Sequence, residues 1–125
     1  LADRLNARLA DQSVHRSALL YRLKNHILTH LADPELSLPR AAAATGISPR
    51  YASDLMAAEQ TSFRGYVQTQ RLERCKRDLG DPAYQARHIG EIAFAWGFND
   101  LAHFSRIFKQ RFGVSPREWR EQPRQ

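Results

Sequence analysis

Cysteine occurs once in this 125-residue sequence, at Cys75, so no internal disulfide can form, which fits a reducing compartment. No apolar run approaches the ~20 residues a membrane-spanning helix needs, and no signal-peptide pattern is present. No glycine-rich phosphate loop follows a strand, no paired carboxylates share a defined turn, and no Ser-His-Asp arrangement can be justified. Neither catalysis nor a cofactor is therefore expected. His26 and His30 stand one helical turn apart, but no Cys or carboxylate set accompanies them. A closed zinc site wants four ligands, so no metal is expected. The first residue is Leu1 rather than methionine, which suggests a piece of something longer.

Positive charge is what the chain has. Nineteen Lys and Arg stand against 13 Asp and Glu, a formal charge of +6, with a pI of about 10.1. An anionic partner is expected, and at this level nucleic acid, an anionic membrane surface and an acidic protein all qualify. A hydrophobic content of 42% suits one compact domain with at most two small cores.

Apolar residues recur at helical spacing along the chain. Leu1, Leu5 and Leu9 predict a first helical piece, with Ser13 capping a second. The first piece reads equally as the tail of a linker. The second sets Leu20, Leu23, Ile27 and Leu31 on one face and ends before Pro34. Ser37 is placed to cap a helix from Leu38 to Thr45, with Pro39 tolerated in its first turn, and Gly46 stops it. Ser48 then caps a helix from Pro49 to Glu59, with Pro49 at the favoured first position. Ala52, Leu55 and Met56 form its apolar side, while Arg50, Ser53, Asp54 and Ala57 fall on the other.

A longer helix is expected from Ser62 to about Leu79, with Phe63, Tyr66, Val67, Leu72, Cys75 and Leu79 as its buried stripe. Cys75 there acts as a small hydrophobe. Gly80, Asp81 and Pro82 end the helix. A rod of roughly 25 Å can hold two small helical units about one DNA turn, ~34 Å, apart. Residues 83–88 carry few structural signals.

From Ile89 to Arg120 the pattern is a helix, a glycine turn at Gly97, a second helix, a glycine stop at Gly113 and a short third helix. Ile89, Ile92, Ala93 and Trp96, then Leu101, Phe104, Phe108 and Phe112, hold the helical period. Trp119 is expected to cover the edge of that core. Two short helices joined by a glycine turn are the helix-turn-helix pattern, and the chain contains it twice. Arg64, Arg71, Arg74, Lys76 and Arg77 place positive charge on the long helix. Arg106, Lys109, Arg111, Arg117, Arg120 and Arg124 place it around the second pair, as phosphate neutralisation requires.

These residues resemble the C-terminal DNA-binding domain of the AraC/XylS-type transcriptional regulators. The match runs from about Arg16 to Gln122 and is densest at Ile89, Glu91, Ile92, Ala93, Gly97-Phe98, Phe104, Arg106, Phe108-Lys109, Gly113, Pro116 and Arg120. Gly46, Ser48, Leu55, Tyr66, Arg71-Leu72 and Leu79 match in the first half. The resemblance implies an all-α fold of about seven helices in two helix-turn-helix subdomains joined by a long helix. Residues 1–15 would be a linker or leading helix, 16–61 the first subdomain, 62–80 the linking helix and 81–125 the second subdomain. Recognition helices at 49–59 and 100–112 would read two successive major-groove segments of double-stranded DNA. Base-reading positions fall on Arg50, Ser53 and Asp54, and on Ala102, His103 and Arg106.

Helix N-termini near Ser48, Ser62 and Ser115, with Arg64, Lys109 and Arg117, would then grip phosphates. The resemblance further implies a cytoplasmic, nucleoid-associated regulator with no membrane partner. RNA polymerase would be a partner of the full-length protein, and an N-terminal domain would carry the effector site and the dimer surface. Three residues depart from the family pattern. Asp54 stands where a basic or neutral polar residue is common, Ala41 where a bulkier core residue is common, and His88 where Ser or Thr would cap better. The competing reading is a basic helical protein-interaction module without sequence-specific readout.

Overall fold

The computed structural model describes residues 2–123. Leu1 of the first apolar repeat and Arg124 of the basic set lie outside the described residues. Among these there are seven α-helices and no strand: α1 Ala2–Thr29, α2 Leu38–Thr45, α3 Pro49–Ala58, α4 Phe63–Leu79, α5 Ile89–Ala95, α6 Leu101–Phe112 and α7 Pro116–Glu121, with one 3-10 turn at Pro82–Tyr84. The fold is all-α, as the sequence predicts.

The two helical pieces expected at the start are one helix of 28 residues, with Ser13 in its interior. No glycine or proline lies between residues 2 and 29. A serine inside a helix costs only about 0.5 kcal/mol. A break would instead leave orphan donors and carbonyls on both sides. The buried stripe of α1 is Leu19, Leu23 and Ile27. It includes Leu19, which the periodicity did not single out, and leaves Leu20 only half-buried.

Contacts divide the chain into two compact units, residues 1–30 with 36–66 and residues 31–35 with 67–125. In the first, α1 packs on α2 and α3. Its buried residues are small or aliphatic: Leu19, Leu23, Ile27, Ala41, Ala42, Ala52, Leu55 and Met56. Thr45 is the buried polar residue there, and its hydroxyl donates to the Ala41 carbonyl at 2.9 Å.

The second unit is built on aromatics. Leu72, Cys75, Leu79, Ile92, Ala93, Phe104, Ile107 and Phe108 are buried, and Tyr84, Ile89, Trp96, Phe98, Phe112 and Trp119 pack against them. Phe104 lies between Phe98 and Phe108, at ring separations of 5.0 and 5.6 Å. Trp96 and Phe112, expected in the interior, are half-buried at its rim, and Ile107 takes the interior position. Burial drives the Cys75 thiol up to about 12, with Asp78 adding to the effect. The thiol therefore stays protonated and packs as a small hydrophobe.

Residues 83–88, read as a plain connector, are ordered by their neighbours. Asp81 accepts from the Ala83 N–H at 2.9 Å. Arg120 donates to the carbonyls of Arg87 and Tyr84 at 2.7 and 3.1 Å. Bonds from a side chain 33 and 36 residues away leave no local sequence pattern.

Candidate nucleic-acid interface

In the first unit, Ser37 caps α2 by accepting from the Arg40 N–H. The helix ends at Gly46 with φ 79, a left-handed conformation that suits glycine. Ile47 N–H closes back onto the Ala42 carbonyl at 3.0 Å. Ser48 accepts from the Tyr51 N–H at 3.1 Å, and Pro49 opens α3. Ala52, Leu55 and Met56 hold α3 to the core. That leaves Arg50, Ser53, Asp54 and Ala57 exposed on its opposite side. Ser62 caps α4 by accepting from the Gly65 N–H at 2.9 Å, with Arg64 exposed beside it.

In the second unit, His88 precedes α5 and makes no capping bond with its side chain. The turn after α5 depends on Gly97, which is buried at φ +99. A Cβ there would lie 2.7 Å from the Arg71 Cζ. That guanidinium is fixed, because it donates to the carbonyls of Leu31 and Asp33, both at 2.8 Å. Burial lowers its pKa from the ordinary value, and Asp33 opposes the shift.

Asp100 caps α6 by accepting from the His103 N–H at 3.0 Å. Phe104, Ile107 and Phe108 face inward. Ala102, Arg106 and Lys109 are exposed and His103 is half-buried. Arg106 Nη2 lies 3.0 Å from His103 Nδ1. Leu101, expected in the core stripe, is instead 43% exposed. A Cβ on Gly90 would touch both Leu101 and Phe94, at 3.6 and 3.7 Å, and Phe94 is 51% exposed. An apolar surface therefore adjoins the first turn of α6. Helical periodicity could not separate this rim from the core, since Leu101 keeps step with Phe104 and Phe108.

Ser115 opens α7 with a capping box, accepting from the Glu118 N–H while its own N–H donates to the Glu118 carboxylate at 3.1 Å. That backbone bond, then the serine side chain, holds the Glu118 carboxyl below its ordinary value. The N–H expected to meet a phosphate is already engaged by a carboxylate. Arg117 donates to Glu121 at 3.1 Å.

The basic residues of α4 from Arg71 onward also have partners inside the second unit. Arg74 and Arg77 lie over the Trp96 ring, whose Nε1 donates to the buried Asp78 at 2.7 Å. Lys76 lies over both Phe112 and Trp119, at 4.7 Å from each ring. Arg111 pairs with Glu73 at 3.3 Å. By unit, eight Lys and Arg stand against four Asp and Glu in the first, and eleven against nine in the second. Net positive charge is thus greater on the first unit, contrary to the sequence expectation. A residue count along the chain does not see Asp33 and Glu35, which join the second unit through the fold.

The helix-turn-helix domain family matches residues 41–122. The transcriptional activator NphR of a Rhodococcus species is 36% identical over 109 residues, covering 87% of this chain and 32% of that protein. The transcriptional activator RhrA of Rhizobium meliloti is 36% identical over 98 residues, covering 78% of this chain and 31% of that protein. The chain spans about a third of the length of these relatives. Among solved structures, an AraC-type DNA-binding-domain regulator from Chromobacterium violaceum superposes with a TM-score of 0.77 at 26% identity, covering 89% of this chain and 99% of that one. Fold, capped turns and sequence likeness agree: the chain belongs to the AraC/XylS family of DNA-binding transcription regulators.

Proposed function

We propose that the chain reads a specific duplex sequence with two recognition helices, α3 and α6, set into two successive major-groove segments. The observation that carries this reading is the pair of second helices, each held inward by three buried residues and each presenting an outward row of residues able to meet base edges. Arg50, Ser53 and Asp54 on α3, and Ala102, His103 and Arg106 on α6, form the base-reading rows. Arginine suits guanine, a carboxylate suits the cytosine N4 amino group, and the Ala102 methyl suits thymine. Ser48, Ser62, Arg64, Lys109 and Arg117 set register on phosphates. Ser115 joins them only if phosphate displaces the Glu118 carboxylate. The subdomains acting as reading units are residues 16–61 and 81–125, with 62–80 linking them.

In this reading the effector site, the dimer surface and the contact with RNA polymerase belong to a larger protein acting at the nucleoid, which the roughly threefold greater length of the relatives supports. The names of NphR and RhrA support activation as its mode. A second reading, a basic protein-interaction module, is favoured by the apolar Phe94 and Leu101 surface.

Titration onto duplex DNA at several salt concentrations separates the two. DNA reading predicts an affinity that falls steeply with salt, by about 0.9 in log–log slope per phosphate contact. One selected site should bind ~10³-fold or more above random DNA. Arg106→Ala should relax preference at one base pair, whereas Lys109→Ala should weaken all DNA about equally. Flat salt dependence with no preferred sequence would leave the interaction module.

A further inference from the structure

The recognition row of α6 contains one contact between two of its own members, Arg106 Nη2 to His103 Nδ1 at 3.0 Å. A guanidinium only donates, so the imidazole nitrogen must accept. The contact therefore uses the tautomer whose Nδ1 is free to accept, with the ring hydrogen on Nε2. Nη2 carries two hydrogens, so the bond uses one and leaves one two-pronged edge of the guanidinium complete. That edge is the donor pair that meets guanine O6 and N7. The two partners are unequally anchored. His103 is half-buried, its backbone N–H is held by Asp100 at 3.0 Å and its neighbour Phe104 is fully buried. Arg106 is exposed, and a free arginine must give up much rotamer freedom to present its edge.

The geometry points to His103 as a positioning residue, which sets Arg106 for guanine rather than reading a base itself. This rests on α6 being a base-reading helix. Preorganisation favours the base matching the set orientation, so its signature is in discrimination more than in total affinity.

The test takes the wild-type chain, Arg106→Ala, His103→Ala and His103→Gln through selection of bound sites from a randomised duplex library. Relative affinities are then measured for the selected site, each of its single-pair variants and random duplex. Arg106→Ala should lower a guanine preference at one base pair by about tenfold or more. His103→Ala should lower the preference at that same pair by about fivefold, with random-duplex affinity changed by no more than about twofold. The Gln side chain offers an amide oxygen as acceptor, so His103→Gln should recover most of the loss.

Four results overturn the inference. In one, His103→Ala leaves that pair untouched. In another, it alters a different pair, which makes His103 a reader in its own right. In a third, it weakens selected and random DNA alike. In the fourth, His103→Gln fails to recover what His103→Ala lost, so the acceptor is not the cause. Failure of the underlying reading looks different, because Arg106→Ala would then alter no base preference at all.

Discussion

In the first unit the turn between α2 and α3 leaves open space around Gly46, whereas in the second the turn between α5 and α6 closes on a guanidinium beside Gly97. The same motif is secured in two ways. The first turn relies on local chemistry: a left-handed glycine, a serine cap and a proline start, over a core of alanines and aliphatics. The second relies on distant partners. Arg71 bonds the carbonyls of Leu31 and Asp33, Asp78 receives the Trp96 N–H, and Arg120 bonds residues 84 and 87. Basic residues in the second unit are therefore partly structural. A count of Lys and Arg overstates what it can offer to phosphate.

Gly97→Ala against Gly46→Ala tests this contrast at its largest. Alanine at either site costs roughly 1–2 kcal/mol for the left-handed backbone. At position 97 it also displaces Arg71 from two charged hydrogen bonds, each contributing about 1.5–3 kcal/mol. The expected losses are about 1 kcal/mol for Gly46→Ala and 3 kcal/mol or more for Gly97→Ala. Trp96 and Trp119 both lie in the second unit, so tryptophan emission during denaturation reads that unit, and backbone circular dichroism reads both. Adding Arg71→Ala to Gly97→Ala should cost less than the sum of the single changes, since the collision is gone. Additive costs would mean that Arg71 does not close this turn.

That contrast also explains what the sequence disclosed. The caps at Ser37 and Ser48, the stop at Gly46 and the apolar side of α3 are local, and all were legible from spacing. The exposed positions of Arg50, Ser53 and Asp54 followed from the same periodicity. The continuity of α1 was missed because Ser13 is a good cap and also a tolerable interior residue. Leu101 was misplaced because a rim position keeps the core's period. The roles of Arg71, Asp78 and Arg120 are set by partners 18 to 40 residues away. A single sequence shows such residues only as charge.

The outward rows of α3 and α6 differ in sign as well. On α3 the row includes Asp54, and no ion pair among the described residues involves Asp54 or Arg50. On α6 the row is basic. Asp54→Ala should raise affinity for random duplex by removing repulsion. It should also abolish preference for cytosine at one base pair, a loss of about 1–3 kcal/mol in discrimination. Binding measured on a selected site and on random duplex decides the matter. An equal rise on both would reduce Asp54 to simple repulsion and make the first unit's row non-specific at that position.

Acid offers the smallest and most selective separation of the units. In the first, the His26 and His30 rings stack at 4.1 Å, and His30 Nδ1 lies 2.9 Å from the His26 carbonyl. Burial, and then His30, lower the His26 pKa below its ordinary value of 6.5. The unfolded chain therefore binds a proton at that site more readily than the folded one. Stability from neutral His26 is present above the ordinary imidazole range and is lost as pH falls. In the second unit, Glu118 is held below 4.5 by Ser115, so its cap is lost only in the carboxylate range. Between about pH 7 and about pH 5, the protection factors of amides in the last turn of α1, taken relative to the intrinsic exchange rate at each pH, should fall while tryptophan emission stays unchanged. His30→Ala removes the like-charged neighbour but not the larger cause, burial. The acid step should shrink in that variant without disappearing, and its complete loss would make His30 the dominant cause.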